Sequence, residues 1–101
     1  MVSINVADQE LRNLGERLRL ARLSRDEPMA MFAQRIGVSV PTLRAMERGL
    51  DSVAIKHWLH ALWALDRLAD LSAVLKPNES VLDLARRADP QRRQRASRRQ
   101  A

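Results

Sequence analysis

Arginine is the residue type with the most chemistry to offer in this chain: it supplies 16 of the 18 positive side chains, against 12 Asp and Glu, leaving +6 over 101 residues. Its planar fork suits phosphate oxygens and the guanine edge, so an acidic partner such as nucleic acid is the first expectation. The densest run is RRQRASRR (92–99). Arg92, Arg93, Arg95, Arg98 and Arg99 suit a minor groove, flanking phosphates or an acidic protein, and a solubilising end is the plainer reading. Residues 86–101 hold 7 Arg and 1 Asp, whereas residues 1–85 hold 11 basic and 11 acidic side chains. The net charge therefore belongs to the tail and says nothing about DNA binding by the rest.

Other chemistries find little support. His57 and His60 stand three apart, as two ligands on a helix would, but a third ligand is not apparent and no metal is expected. A glycine-rich phosphate loop and an activated nucleophile are both missing, and the carboxylates are scattered, so the expectation is a non-enzyme without cofactors. Cysteine is absent, which excludes disulfides, thiolate zinc sites and thiol catalysis and suggests a reducing compartment. Apolar runs fall short of the ~18–20 residues of a membrane span, and the first residues lack a signal-peptide pattern. A cytoplasmic protein with no membrane contact is expected. Phe32, Trp58 and Trp63 are too few for a single-strand stacking platform, which makes double-stranded DNA the better acidic partner.

The elements that would position such residues are helices, because apolar residues recur at three and four and no β-branched run reads as a strand. An all-α domain is expected over 8–76, preceded by an N-terminal arm (1–7) and followed by a C-terminal helix (77–88) and a disordered basic tail (89–101). Asp8 is placed as N-cap of a first helix with Leu11, Leu14, Leu18 and Ala21 inward, its propensity lowered locally by Gly15. Pro28 is placed at the first position of a short second helix that buries Phe32, Ala33 and Ile36 and stops at Gly37. Ser39 caps a third helix with Pro41 in its first turn, Leu43 and Met46 inward, and Gly49 at its end. Ser52 is expected to cap a fourth helix burying Ile55, Trp58, Leu59 and Leu62, and Leu65, Leu68, Leu71 and Leu75 to carry a fifth. Ser80 to Asp83 reads as a capping box opening a sixth, whose Val81, Leu82 and Leu84 need a partner. Met29, Met31 and Met46 are read as packing residues.

Two short helices joined by a tight glycine turn are the signs of a helix-turn-helix. The runs LGERLRLAR (14–22), FAQRIGVS (32–39) and PTLRAMERG (41–49) resemble the lambda-repressor-like, xenobiotic-response-element family, with Ala33, Gly37, Val38, Ser39, Leu43, Glu47 and Gly49 at its characteristic spacings. The resemblance covers roughly residues 11 to 75. It implies a five-helix DNA-binding domain, usually dimeric, with the third helix in the major groove. Base-reading positions fall on Val40, Pro41, Arg44 and Ala45, of which only Arg44 offers guanine bidentate donors; Val40 and Pro41 suit thymine methyl groups. Ser39, Thr42, Arg48 and the Met29 amide are placed for phosphates. Arg22 is implied to pair with Glu47.

The departures from the pattern are specific. Asp26-Glu27-Pro28-Met29 stands where the family commonly has Gly-Leu-Thr-Gln, which removes a backbone clamp and sets two carboxylates where phosphates would approach. Trp63 replaces a glycine, and its indole either fills the core, the preferred reading, or packs at a dimer interface with Val81, Leu82 and Leu84 as further partner contacts. The expected function is a dimeric transcriptional regulator that represses at a palindromic operator. Size, apolar sixth helix and basic end are similar to HipB-type antitoxins, which bind a HipA-like kinase toxin. The alternative is a protein-interaction module on a helix-turn-helix scaffold with little DNA readout.

Overall fold

The computed structural model describes residues 2–88, with side chains from Asn5 onward. The tail arginines Arg92, Arg93, Arg95, Arg98 and Arg99, and the disorder expected of the tail, lie outside the described residues. Among those described the chain is all-helical: α1 (Val2–Ser24), α2 (Met29–Ile36), α3 (Val40–Arg48), α4 (Ile55–Ala64), a 3₁₀ helix (Leu68–Ala73) and α5 (Glu79–Ala88). Two compact units divide after Ala69.

Four helix ends share one stop device. Asp26, Gly37, Gly49 and Asp66 take positive φ of 54°, 74°, 72° and 57°. At each, the left-handed residue's N–H reaches back three residues and the next N–H reaches back five, as from Glu27 to the Arg22 carbonyl (3.3 Å), Val38 to Ala33 (3.0 Å), Leu50 to Ala45 (3.0 Å) and Arg67 to Leu62 (2.8 Å). This pairing satisfies carbonyls that a helix end leaves open. Asp is among the few non-glycine residues that tolerate the conformation, which is why α1 and α4 stop where the sequence shows no glycine.

The first unit is assembled on α3. Leu43 and Met46 are fully buried; α3 packs against α1 and α2, and α2 against α4. Leu18 of α1, Phe32 and Ile36 of α2, and Trp58, Ala61 and Ala64 of α4 complete the core. Burying each large apolar side chain stabilises by roughly 1.5–3 kcal/mol before entropy is counted.

Several boundaries differ from expectation. There is no N-terminal arm over residues 2–7: α1 runs from Val2, since no Gly or Pro interrupts it, and Asp8 sits within it rather than capping it. Pro28 is the N-cap of α2, one position earlier than its expected N1. Ala54, not Ser52, precedes α4. The inward side of α4 is Trp58, Ala61, Ala64 and then Leu65, so Ile55 is 71% exposed instead of buried. No α-helix continues through Leu65–Leu75, because Asp66 turns the chain left-handed; a 3₁₀ helix follows and Leu75 is 96% exposed. In the second unit Asn78, not Ser80, caps the last helix: its Oδ1 accepts from the Val81 N–H (2.8 Å), so α5 starts at Glu79. Met31 is exposed rather than packed.

Gly15 acts through packing more than through propensity. A Cβ there would lie 2.6 Å from the carbonyl oxygens of Met46 and Glu47, and one on Gly49 would lie 2.5 Å from the Arg12 Cα. The backbones of α1 and the end of α3 are thus in direct contact, with no room for a methyl group. Gly37 has the same positive φ as Gly49 but open space around it. Urea denaturation should separate the two effects. Gly37→Ala should cost about 1–2 kcal/mol from the left-handed conformation alone. Gly15→Ala, which gains up to ~1 kcal/mol in an unobstructed helix, should instead lose stability, and Gly49→Ala should be the worst of the three.

Candidate nucleic-acid interface

The α3 N-terminus is set by Ser39. Its backbone is extended (φ −75°, ψ 160°), its Oγ accepts from the Thr42 N–H (3.2 Å), and its hydroxyl donates to Thr42 Oγ1 (2.9 Å). Pro41 has no N–H, so among the first three residues of α3 only the Val40 amide is left for an external acceptor. α2 is different: Pro28 brings no side-chain cap, and the amides of Met29, Ala30 and Met31 are open at its first turn. The α2 end therefore has more donors to offer an anion than the α3 end, and the Met29 amide belongs to it.

Along α3 the side chains divide cleanly. Leu43, Met46 and Glu47 are buried, whereas Pro41, Arg44 and Arg48 are exposed, with Val40, Thr42 and Ala45 half-buried at the margins. Arg44 and Arg48 are one turn apart on the outer side, so both guanidiniums face the same solvent region. Beside them a cleft of about 380 Å³ opens between Pro41, Thr42 and Ala45 of α3, the loop residues Ser52, Val53 and Ala54, and His57.

Beneath this face lies a buried ion pair. Arg22 Nε donates to Glu47 Oε2 (2.7 Å) and Nη2 to Oε1 (3.1 Å), with side chains 8% and 5% exposed. The third arm, Nη1, donates to the Glu27 carbonyl (2.9 Å), so one guanidinium ties α1, α3 and the α1–α2 turn together. The hydrogen bonding that Arg22 donates to Glu47 raises the Arg22 pKa above its ordinary value; burial opposes that, and the Glu47 charge adds to it.

Three placements depart from the sequence reading. Glu27 does not confront an incoming phosphate as a bare carboxylate: its side chain is 14% exposed and accepts from Arg35. Trp63 is 66% exposed, and Trp58 takes the core position preferred for it. Ile55, Leu59 and Trp63, each four apart, share one side of α4, where Leu59 is half-buried and the other two exposed. In the second unit Val81, Leu82 and Leu84 are all exposed.

Two arginines with roles unseen in the sequence close the C-terminal end of α4. Arg25 donates to the carbonyls of Ala64 (3.2 Å) and Leu65 (2.7 Å) and lies 3.6 Å from Asp66, and Arg35 also donates to the Ala64 carbonyl. Arg35 further lies over the Phe32 ring, 5.9 Å from its centre. Their targets are 29 to 40 residues away, beyond any helical spacing. The two histidines are engaged differently: His60 Nδ1 is 3.3 Å from the Ile36 carbonyl, which requires it to donate, and His57 Nδ1 is buried beside the cleft.

No protein-family model, curated protein or solved structure matches the chain.

Removing the carboxylate of the buried pair leaves a guanidinium with little access to water. Glu47→Ala should lower the unfolding free energy by about 3–5 kcal/mol in chemical denaturation. Joint replacement by Arg22→Met and Glu47→Leu should recover a large part of that loss, because no charge is then stranded.

Proposed function

We propose that the chain is a sequence-specific, double-stranded DNA-binding transcriptional regulator of the lambda-repressor-like helix-turn-helix kind, dimeric, non-enzymatic and cytoplasmic. One observation carries the reading: α2, a glycine turn and α3 form a locked unit whose third helix holds Leu43, Met46 and Glu47 inward while offering Arg44 and Arg48 outward. In this reading α3 lies in the major groove, Arg44 donates a bidentate pair to guanine O6 and N7, and Val40, Pro41 and Ala45 line the remaining base contacts. Arg48, Thr42 and the open amide of Met29 meet phosphates, while the Ser39 hydroxyl, already donated to Thr42, fixes the α3 end. The pairing of Glu27 with Arg35 favours this reading, since it lowers the repulsion a phosphate would meet at the start of α2.

The tail arginines Arg92, Arg93, Arg95, Arg98 and Arg99 supply sequence-independent attraction to the same duplex, complementing residues 1–85, which carry no net charge. Dimerisation places two copies of α3 on half-sites about one helical turn apart, and occupancy of the chain's own promoter represses it. The α4 side carrying exposed Ile55 and Trp63 with half-buried Leu59 between them is the proposed contact between copies. Among the described residues no helix is long and apolar enough to cross a membrane.

The exposed apolar residues of α5 favour a second reading, in which the scaffold mainly binds another protein. As in HipB-type antitoxins, a HipA-like kinase toxin would be such a partner, met by Val81, Leu82 and Leu84.

Gel-shift titration of the full chain against its own promoter separates the two readings. Arg44→Ala should abolish preference for the promoter over random DNA, a loss of about 1–3 kcal/mol per guanine contact, whereas Arg48→Ala should weaken both fragments alike. Absence of any retardation in low salt supports the protein-binding module instead. Sedimentation should show a dimer that Trp63→Glu converts to monomer while its helical circular dichroism is unchanged.

A further inference from the structure

The cleft beside α3 combines hydrocarbon with hydrogen-bond donors. Pro41, Ala45, Val53 and Ala54 form its apolar part, and Thr42, Ser52 and His57 its polar part. Its volume of about 380 Å³ falls within the ~300–1,000 Å³ of small-molecule sites, which join a mostly apolar lining to a few placed polar groups. We propose that this cleft binds a small monocarboxylate with a short hydrocarbon chain, and that its occupancy excludes DNA from α3. The binding itself needs no DNA; the exclusion rests on the DNA-binding reading.

The donors follow from what each polar group has already spent. His57 Nδ1 is buried with no hydrogen-bond partner among the described residues, so a proton placed there would have no acceptor. The ring therefore carries its proton on Nε2, the nitrogen left for the cleft that His57 lines. Thr42 Oγ1 already accepts from Ser39, which leaves its own proton to give outward, and Ser52 adds an exposed hydroxyl. Three donors around one space suit a group that accepts several hydrogen bonds and donates none, as an ionised carboxylate does. Charge points the same way. Arg44 adjoins Ala45, Arg48 lies one turn on and Lys56 adjoins His57, all exposed, against Asp51 beside Ser52. The apolar residues are covered only if the carboxylate carries hydrocarbon, which separates this ligand from inorganic phosphate and from a DNA backbone. Seated there, it lies against Pro41 and Ala45, positions proposed for base contacts, so ligand and duplex compete for one face.

The test titrates the full chain with sodium acetate, butyrate and hexanoate at constant ionic strength, following amide and imidazole signals by nuclear magnetic resonance. Binding should saturate, move the signals of Thr42, Ser52 and His57, and tighten about fourfold for each added methylene, the fold-change corresponding to ~0.8 kcal/mol. Long-range nitrogen spectra should place the His57 proton on Nε2. Ser52→Ala, in an exposed loop, and His57→Phe should each weaken hexanoate binding about tenfold or more, as for a lost hydrogen bond to a charged group. Ala45→Leu, which fills the cleft from its rim, should abolish binding. Saturating hexanoate should lower affinity for the chain's own promoter about tenfold or more relative to sodium chloride of equal ionic strength.

Shifts that fail to saturate overturn the site, and so does inorganic phosphate binding as well as hexanoate, which would mark a seat for a backbone phosphate instead. Undiminished binding in folded Ala45→Leu or Ser52→Ala also overturns it, as does a His57 proton on Nδ1. Promoter affinity unchanged by saturating hexanoate overturns the exclusion of DNA. A promoter that fails to bind in the absence of any carboxylate removes the DNA reading alone, because the titration judges the site without DNA.

Discussion

The fold depends on one guanidinium. Arg22 spends all three of its nitrogens on intrachain acceptors, two on the Glu47 carboxylate and one on the Glu27 carbonyl, and both side chains of the pair are nearly sealed from water. Desolvating two charges is expensive, and the pair recovers that cost only because the geometry is bidentate and the remaining donor is satisfied. The arrangement offers direction more than net stability. An apolar substitute would bury comparable area but would not fix how α3 is rotated about its own axis. With Glu47 held inward, Arg44 and Arg48 have only the outer face available.

A second constraint acts at the same junction. Gly15 and Gly49 allow the backbones of α1 and the α3 terminus to touch, which brings Arg22, two turns further along α1, within reach of Glu47. Larger residues at the glycines would separate the helices and stretch the ion pair. The close approach and the salt bridge are thus one joint, fastened once by shape and once by charge. The left-handed stop at Gly49 belongs to it too, because it turns the chain away before α3 could collide with α1.

The arginines of the folded part do unlike work, and their number alone reveals none of it. Arg22 is buried in an ion pair, Arg25 and Arg35 hold the carbonyls that end α4, and Arg44 and Arg48 stand outside with their donors toward solvent. Since residues 1–85 carry no net charge, any preference of this face for an anion comes from local arrangement: two guanidiniums on one side of α3, open amides at the start of α2, and a Glu27 carboxylate already paired with Arg35. The charge excess of the chain lies in residues 86–101.

The sequence by itself determined the all-helical character, the turn between α2 and α3, the Ser39 cap with Pro41 behind it, and the burial of Phe32, Leu43 and Met46. These follow from local rules of periodicity, capping and glycine conformation that operate within a few residues. The stops at Asp26 and Asp66 were less legible, because Asp adopts the left-handed conformation only occasionally and its identity alone does not announce it. Tertiary structure decided what depends on distant partners: the clamp on the end of α4, the reason for Gly15, and the orientation that buries Trp58 while exposing Ile55 and Trp63. It also created the cleft beside α3, whose walls come from α3, the following loop and α4. The α4 periodicity pointed inward through Ile55, Trp58, Leu59 and Leu62, whereas the buried side is Trp58, Ala61 and Ala64, the side set by contact with α2 and by the arginines at the helix end.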